Sequence, residues 1–591
     1  MFNLDFEPIG RRGQCKSGQS LLESARELNV DLVSICGGVG SCGRCKVQII
    51  AGEVSKLTAE EQGELSAREL EQGYRLACKV YPLSDVKIHV PPESLTAPQR
   101  TQVEGLEVDI APEPPVRGME VQLTAPTLDS PTPDDVNLLT ALGLPAGRLG
   151  FHVQQELSRQ LRNLNWSLSV ALRGDEIVAV AAPGTRWLGL AADIGTTKIA
   201  AYLVDLETGK TLASKGMMNP QISYGEDLVT RIVAASKTAA DAAKLQSLLT
   251  GAINQLAADL CAETGLRTDT IAEAVVVGNT AIHHLFLRLP VKQLGLAPYI
   301  PVVCAAVEIK AREIGLKLAP GAYLHLLPNV AGYVGADHVA MLLATRTAEA
   351  DKTTLAIDIG TNTEICLNYK GKLTSVSCAS GPAFEGAHIK FGMRAAPGAI
   401  EHVRLEGERL EIQTIGAEAP VGVCGSGLLD AVAQMRQNNI LDKMGRMGVH
   451  PRVRKETVAE FILVERPGQE PITISQKDVR ELQLAKAAIR TGIQALVAAV
   501  GLTEADIEQV IIAGAFGTFI DVGSAITIGM LPNLPLERFS QVGNAAGTGA
   551  RLALISTSQR AKAAEIAERD GYIELASVPN FQRKFAEATY L

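Results

Sequence analysis

LGLAADIGTTKIAAYLVDLETGK, residues 188–210, is the stretch whose reading decides the fold. An apolar run ends at Asp193, a Gly-Thr-Thr turn follows, and a second apolar run leads to a Gly-Lys turn. Such a pattern predicts strand, tight turn, strand. It returns 165 positions on, as TTLAIDIGTNTEICLNYKGKL around Asp358 (residues 353–373). An internal repeat of this size predicts two similar lobes. Both turns suit phosphate. Gly195 and Gly360 permit close backbone approach, and Thr196, Thr197, Thr361, Asn362 and Thr363 offer hydroxyl, amide and N–H donors. Asp193 and Asp358 would repel phosphate unless Mg²⁺ or its waters stood between.

Working outward, further segments follow in a telling order. NVAGYVGADHVAMLLA (329–344) lies before the second turn, and VIIAGAFGTF (510–519) and GNAAGTGARLALI (543–555) lie after it. Together with DIGTT (193–197) and DIGTNTE (358–364), these resemble the five signature segments of the actin, hexokinase and heat-shock chaperone ATPase superfamily. The resemblance covers residues 187–591. It implies a two-lobed, ribonuclease H-like ATPase with two phosphate loops, two connecting helices and an adenosine segment. In that segment Gly514, Ala515, Phe516 and Gly517 are the residues expected near the nucleotide. It also implies Asp193 and Asp358 as catalytic carboxylates, with ATP and Mg²⁺ as cofactors. CGSG (424–427) precedes a helical pattern, so Gly425, Ser426 and Gly427 are expected to aim N–H groups at phosphate. Glu385, in CASGPAFEGAHI (378–389), is a candidate for orienting water. His283 and His284 read as core or surface histidines.

The N-terminus has a different character. Residues 36–45 read CGGVGSCGRC, with Cys36, Cys42 and Cys45 in ten residues and Cys78 standing alone in GYRLACKV. Structural zinc prefers two short cysteine pairs. Three cysteines on one glycine-rich loop plus a distant fourth suit a 2Fe–2S cluster better. Gly37, Gly38, Gly40 and Gly43 let the backbone curl and point N–H groups at sulfur. FNLDFEPI reads as a strand, SLLESARELNV as an amphipathic helix, and KVQIIAGEV and DVKIHV as strands. The set looks like a β-grasp ferredoxin. Its first gap of five residues is similar to the adrenodoxin-like branch. The other six cysteines, Cys15, Cys261, Cys304, Cys366, Cys378 and Cys424, are expected as small buried hydrophobes.

The divisions expected are a ferredoxin domain at 1–92, a Pro-rich linker at 93–115, a small α/β middle domain at 116–186 and the ATPase at 187–591. Proline density over 91–115 reads as a semi-rigid spacer. The middle stretch shows VRGMEVQLTAPTL, a helical run over 133–142 and LSVALRGDEIVAVAAPG, with no evident chemistry.

Composition sets limits on all this. Charged residues make up 20% and hydrophobic residues 46%, with a formal net charge of −9. An acidic chain gives a nucleic-acid partner no bulk electrostatic support. No apolar run reaches membrane-spanning length, and the N-terminus has no signal-peptide core, so a cytoplasmic location without a membrane partner is expected. Disulfides are then not expected among the ten cysteines.

A ferredoxin joined through a small module to this ATPase resembles the reductive activators of corrinoid proteins. The match runs over essentially the whole chain. One branch of those activators carries further cysteine clusters at the C-terminus, whereas this chain has no cysteine after Cys424. The resemblance implies ATP-dependent one-electron reduction of Co(II) to the methyl-accepting Co(I) in a corrinoid protein of a methyltransferase or acetyl-CoA pathway system. It further implies a low-potential electron donor and a homodimer formed through the ATPase part. A plant-type cluster sits near roughly −400 mV, and each ~59 mV uphill costs about 1.4 kcal/mol for one electron. ATP can only favour one conformational state of the complex. The alternative is a redox-sensing small-molecule kinase of the same superfamily, which would need a sugar or acid pocket.

Overall fold

The two halves of the internal repeat build two six-stranded sheets that share the order of five strands, the sixth lying at opposite edges. In the first, strands Thr211–Met218, Lys198–Asp205 and Leu188–Ile194 form an antiparallel meander. Ile271–Gly278 and then Tyr323–Leu326 add in parallel beside it. In the second, Lys372–Cys378, Thr363–Tyr369 and Thr354–Ile359 form the meander. Gln509–Ala513 and Phe539–Gly543 add in parallel. The strands carrying Asp193 and Asp358 occupy equivalent central positions, so both turns emerge at the same edge of their sheets. Central strands of such sheets are buried on both faces, which is why they read as unbroken apolar runs. Ala191, Ala192, Ala356 and Ile357 have no exposed surface.

The lobes meet along the helices Ala336–Ala344 and Ala545–Ile555. They cross at backbone contact: a Cβ on Gly549 would fall 2.1 Å from the Ala340 carbonyl oxygen. Near the crossing, His338 Nε2 lies 2.9 Å from Ser375 Oγ, which donates to Asp570 at 2.7 Å, all three side chains buried. This polar seam joins a first-lobe helix to a second-lobe strand.

The computed structural model describes residues 1–7, 11–16, 18–28, 30, 32–34, 36–91, 94, 110–225, 227–514, 516, 517 and 519–591. Most of the linker expected at 93–115 therefore lies outside the described residues, as does Ala515. Among the described residues no helix is long and apolar enough to cross a membrane.

Residues 116–181 form a four-stranded sheet ordered Val116–Gln122, Ser167–Arg173, Glu176–Ala181, Arg148–Leu149, with helices Asp134–Ala141 and Phe151–Asn163. This module is fused to the first lobe rather than standing apart. Val116, Ala171 and Val178 belong to the first lobe's core. Arg173 pairs with Glu273 at 3.1 Å and Glu308 at 2.7 Å, and Lys310 with Glu176 at 2.8 Å. Just before it, Glu113 is held at the end of the second connecting helix: its N–H donates to the Ile555 carbonyl at 2.7 Å, and its carbonyl accepts from Thr557 N–H at 3.0 Å.

The N-terminal region is a five-stranded sheet ordered Arg11–Cys15, Phe2–Glu7, Val86–His89, Lys46–Ala51, Tyr74–Leu76. Helix Leu21–Glu27 packs on it, started by a capping box between Ser20 and Glu23. Two of these strands, Arg11–Cys15 and Tyr74–Leu76, go beyond the sequence reading. Both are short and neither alternates cleanly, so they owe their conformation to pairing partners.

Candidate functional site

Two sites stand out, and the chain brings them together. The first is the cysteine loop between the helix and strand Lys46–Ala51. Gly38 and Gly40 have φ of +100° and +93°, conformations in which a Cβ would be strained. The reward is a ring of inward N–H groups: Gly40 N–H donates to Cys36 Sγ at 3.3 Å. The four thiols fall into two contacting pairs, Cys36 with Cys42 and Cys45 with Cys78. Two pairs suit two irons, each taking two thiolates; a single zinc would need four sulfurs converging on one point. The pair hydrogen bond from Cys42, opposed by burial and helped by the N–H groups of Gly40, Ser41 and Gly38, holds the Cys36 thiol down at about 4. The donor set therefore fits a 2Fe–2S cluster. Cys15 is buried on the strand Arg11–Cys15 and takes part in neither pair.

The second site is a cavity of about 220 Å³ between the lobes. Asp193, Gly195, Thr196 and Thr197 line it from the first lobe, and Asp358, Gly360, Thr361 and Asn362 from the second. Glu385, Gly425, Ser426, Gly514 and Phe516 also line it. Gly425 and Ser426 open the helix Gly425–Gln437, so the positive end of its dipole faces the cavity, while the N–H groups of Ser426 and Gly427 bond the Cys424 sulfur. The rings of Phe384 and Phe516 stack at 4.5 Å, making a flat apolar wall. Three residues expected here stand outside the lining. Thr363 turns inward to Ser380 Oγ at 2.9 Å, Gly427 packs under the Ile400 carbonyl, and Gly517 packs under the Ala513 carbonyl.

Several lining residues went unread in the sequence. Asp337 and Glu364 join Asp193 and Asp358 to make four carboxylates at one end of the cavity. Burial raises Asp193 to about 6. Burial and then Asp193 raise Asp358 to about 7. Burial, then Asp193 and Asp358, raise Asp337 to about 7. Glu364 is pushed up by burial, then by Asp337 and Asp358. Like charges held this close favour either a proton or a cation. Lys198 and Arg394 bring the opposite sign, and burial lowers the Lys198 ammonium against the pull of Glu385. Asn279 and Asn544 cap helices while reaching the first loop: Asn279 Nδ2 donates to Thr196 Oγ1 at 3.3 Å, and Asn544 bonds Asp193. Cys424, expected only as a buried hydrophobe, also lines the cavity. His283 and His284 are buried in a helix outside it.

Glu385 closes the arrangement. One carboxylate oxygen accepts from Thr197 Oγ1 at 2.7 Å, and the other accepts from Thr361 Oγ1. The two hydroxyls themselves lie 3.3 Å apart. One side chain thus ties the phosphate loop of each lobe to that of the other.

Comparison with known proteins agrees with this two-site architecture. Residues 5–83 match the family described as 2Fe-2S iron-sulfur cluster binding domain. Residues 105–186 match the RACo linker region, 188–350 the RACo middle region, and 352–591 the C-terminal domain of RACo, the ASKHA domain. The corrinoid activation enzyme RamQ of Eubacterium limosum is 37% identical over 407 residues, covering 66% of this chain and 68% of that protein. The [Co(II) methylated amine-specific corrinoid protein] reductase of Methanosarcina barkeri is 26% identical over 413 residues, covering 64% and 72%. A solved structure of a reductive activator for corrinoid, iron-sulfur protein superposes with a TM-score of 0.73 at 34% identity, covering 100% of this chain and 98% of that one. With a ferredoxin-type head, a two-lobed ASKHA ATPase and relatives matched at this length, the chain belongs to the RACo family of reductive activators of corrinoid proteins.

Proposed function

We propose that this chain uses ATP to drive one electron from a low-potential donor onto Co(II) of an inactive corrinoid protein, restoring Co(I). The observation that carries the reading is the presence, on one chain, of a paired four-thiol loop and a phosphate cleft tied by Glu385. When bound, the 2Fe–2S cluster supplies single electrons at roughly −400 mV. Cys36, Cys42, Cys45 and Cys78 hold it, and the N–H groups of the glycine loop stabilise its negative charge. In the cleft, the Gly195 and Gly360 turns, the loop hydroxyls and the helix start at Gly425 bind phosphate, while the Phe384–Phe516 wall and the backbone at Gly514 receive the adenosine. Asp193, Asp337, Asp358 and Glu364 would hold Mg²⁺ directly or through its waters, the cation taking the place of the protons that their crowding otherwise favours. Glu385 accepts a proton from the attacking water once nucleotide separates Thr197 from Thr361.

In this reading the functional units are 1–92, 93–115, 116–186 and 187–591, the protein works in the cytoplasm, and the ATPase part forms a homodimer. The test mixes the cluster-loaded protein with a purified Co(II) corrinoid protein and a low-potential reductant, following Co(I) by its visible absorption. ATP with Mg²⁺ is expected to be needed for near-complete reduction, and Asp358→Ala to remove that need-dependent gain. Full reduction at the same rate without nucleotide would overturn the reading.

A further inference from the structure

The cysteine loop touches both lobes, at segments that neighbour the lining of the nucleotide cleft. On the first-lobe side, Gly37 sits against Tyr224 and Thr230, where a Cβ would come within 3.2 Å of the Tyr224 carbonyl and 3.1 Å of the Thr230 methyl. The Arg26 guanidinium lies 5.0 Å from the Tyr224 ring centroid. Tyr224 ends a short turn, Pro220–Tyr224, capped by Asn219. Asn219 Nδ2 donates to the Gly195 carbonyl at 2.8 Å, and its backbone N–H donates to the Thr197 carbonyl at 2.9 Å. The first contact therefore leads, within five residues, to the first phosphate loop.

On the second-lobe side the contact is Arg44. Its guanidinium donates to three backbone carbonyls, Gly386 at 3.0 Å, Ile389 at 2.5 Å and Gly392 at 3.4 Å. This segment begins one residue after Glu385 and ends two before Arg394, both of which line the cavity. It is also laced to Val423, with Val423 N–H donating to the Phe391 carbonyl at 2.8 Å and Met393 N–H to the Val423 carbonyl at 2.9 Å. Val423 directly precedes Cys424 and the helix start facing the cavity. At its other end, Arg44 stands between Cys42 and Cys45, and its own backbone N–H is hydrogen-bonded to the Cys42 sulfur.

We propose that Arg44 is a positioning residue that couples the two sites: its backbone holds a cluster thiolate while its side chain clasps the segment leading from Glu385, so that occupancy of the phosphate cleft decides whether the cysteine loop stays clamped across the lobes. The inference rests on the reading of the two sites given above. A guanidinium suits the task, because its planar fork engages several acceptors in fixed geometry, whereas an ammonium is a single point. Nucleotide entering between Thr197 and Thr361 competes with Glu385 for their hydroxyls. Any shift of Glu385 is passed to Gly386, and any change in lobe separation pulls Tyr224 and Ile389 apart beneath the loop. The clamp therefore responds to nucleotide through two independent connections.

The test uses the full chain loaded with its cluster, as wild type, Arg44→Ala and Arg44→Lys. The rate of cluster reduction by a soluble reductant and the reduced-cluster EPR spectrum are recorded with and without Mg²⁺ and a non-hydrolysable ATP analogue, and calorimetry on the same samples reports analogue binding. In the wild type the analogue is expected to change the reduction rate several-fold and to alter the spectrum. Arg44→Ala is expected to bind the analogue and retain its iron while showing one rate and one spectrum under both conditions. Arg44→Lys is expected to restore part of the response. A wild type that binds the analogue without any change at the cluster overturns the coupling, as does an alanine variant that keeps the full response. If the alanine variant loses its cluster, the lysine variant decides, and an undiminished response there overturns the proposal. Absence of analogue binding in the wild type overturns the reading of the cleft itself, a distinct failure.

Discussion

The Thr197 hydroxyl donates to Glu385 at 2.7 Å, and through that carboxylate the first phosphate loop is joined to Thr361 of the second. Glu385→Gln keeps the size but turns one oxygen into a donor, so one of the two hydroxyls loses its acceptor. Hydrolysis is expected to fall by about 10²–10⁴-fold, the range for losing a general base. Phosphate release measures it, and the cluster's visible spectrum should not change. Unaltered turnover would leave Glu385 as a structural tie only.

Cys42→Ser is expected to lose or grossly perturb the cluster, because Cys42 pairs with Cys36 and one iron would be left short of a thiolate. Cys15→Ser should retain it, since Cys15 stands on the strand Arg11–Cys15 and belongs to neither thiol pair. Iron and acid-labile sulfide analysis separates the two. Loss of iron in the Cys15 variant would show the ligand set to be misassigned.

Asp193 at about 6, and Asp337 and Asp358 at about 7, all lie above the ordinary carboxylate range near 4. Between pH 4 and 7 the folded protein therefore binds more protons than the unfolded chain, so without metal its stability falls as pH rises through this window and levels off above it. Mg²⁺ offsets the repulsion only once the carboxylates ionise. Thermal unfolding is expected to show a larger Mg²⁺-induced rise in Tm at pH 8 than at pH 5.5, and Asp358→Asn should shrink the difference. An Mg²⁺ effect that is equal at both pH values would separate the metal from this cluster.

Ser375→Ala removes the hydroxyl between His338 and Asp570. Both groups are buried, so leaving them short of a partner is expected to cost about 1–3 kcal/mol. Denaturant unfolding reads the loss. An unchanged midpoint would mean that the direct approach of His338 Nε2 to Asp570, already 3.6 Å, suffices without the hydroxyl.

Much of the fold was legible because its chemistry is local. Each phosphate turn is written in consecutive residues, and the helix starting at Gly425 announces itself by CGSG. Residues that reach the site from elsewhere were not legible. Glu364 faces the cavity because it pairs across the hairpin with Asp358, a register that the DIGTNTE turn contained but did not advertise. Asp337 arrives on a helix whose apolar pattern reads as packing. Thr363 failed for the opposite reason: alternation along the strand turns it inward, although its neighbours in sequence face the cleft. Arg44 could not be read at all, because its partners are backbone carbonyls more than 340 positions away.

The anchoring of Glu113 at the end of the second connecting helix bears on how the cluster is delivered. Ser94 still belongs to the head, its carbonyl accepting from Val33 N–H at 2.9 Å; fifteen residues separate it from Ile110, and a chain of that length spans at most about 55 Å. Under the clamp proposed above, a released head therefore stays within that reach of Ile110, at an effective concentration on the order of 1 mM. Its return is a first-order event, indifferent to how much protein is present. Cutting the chain within 92–109 is expected to make cobalt reduction fall with dilution, while the intact protein's rate per bound partner holds constant.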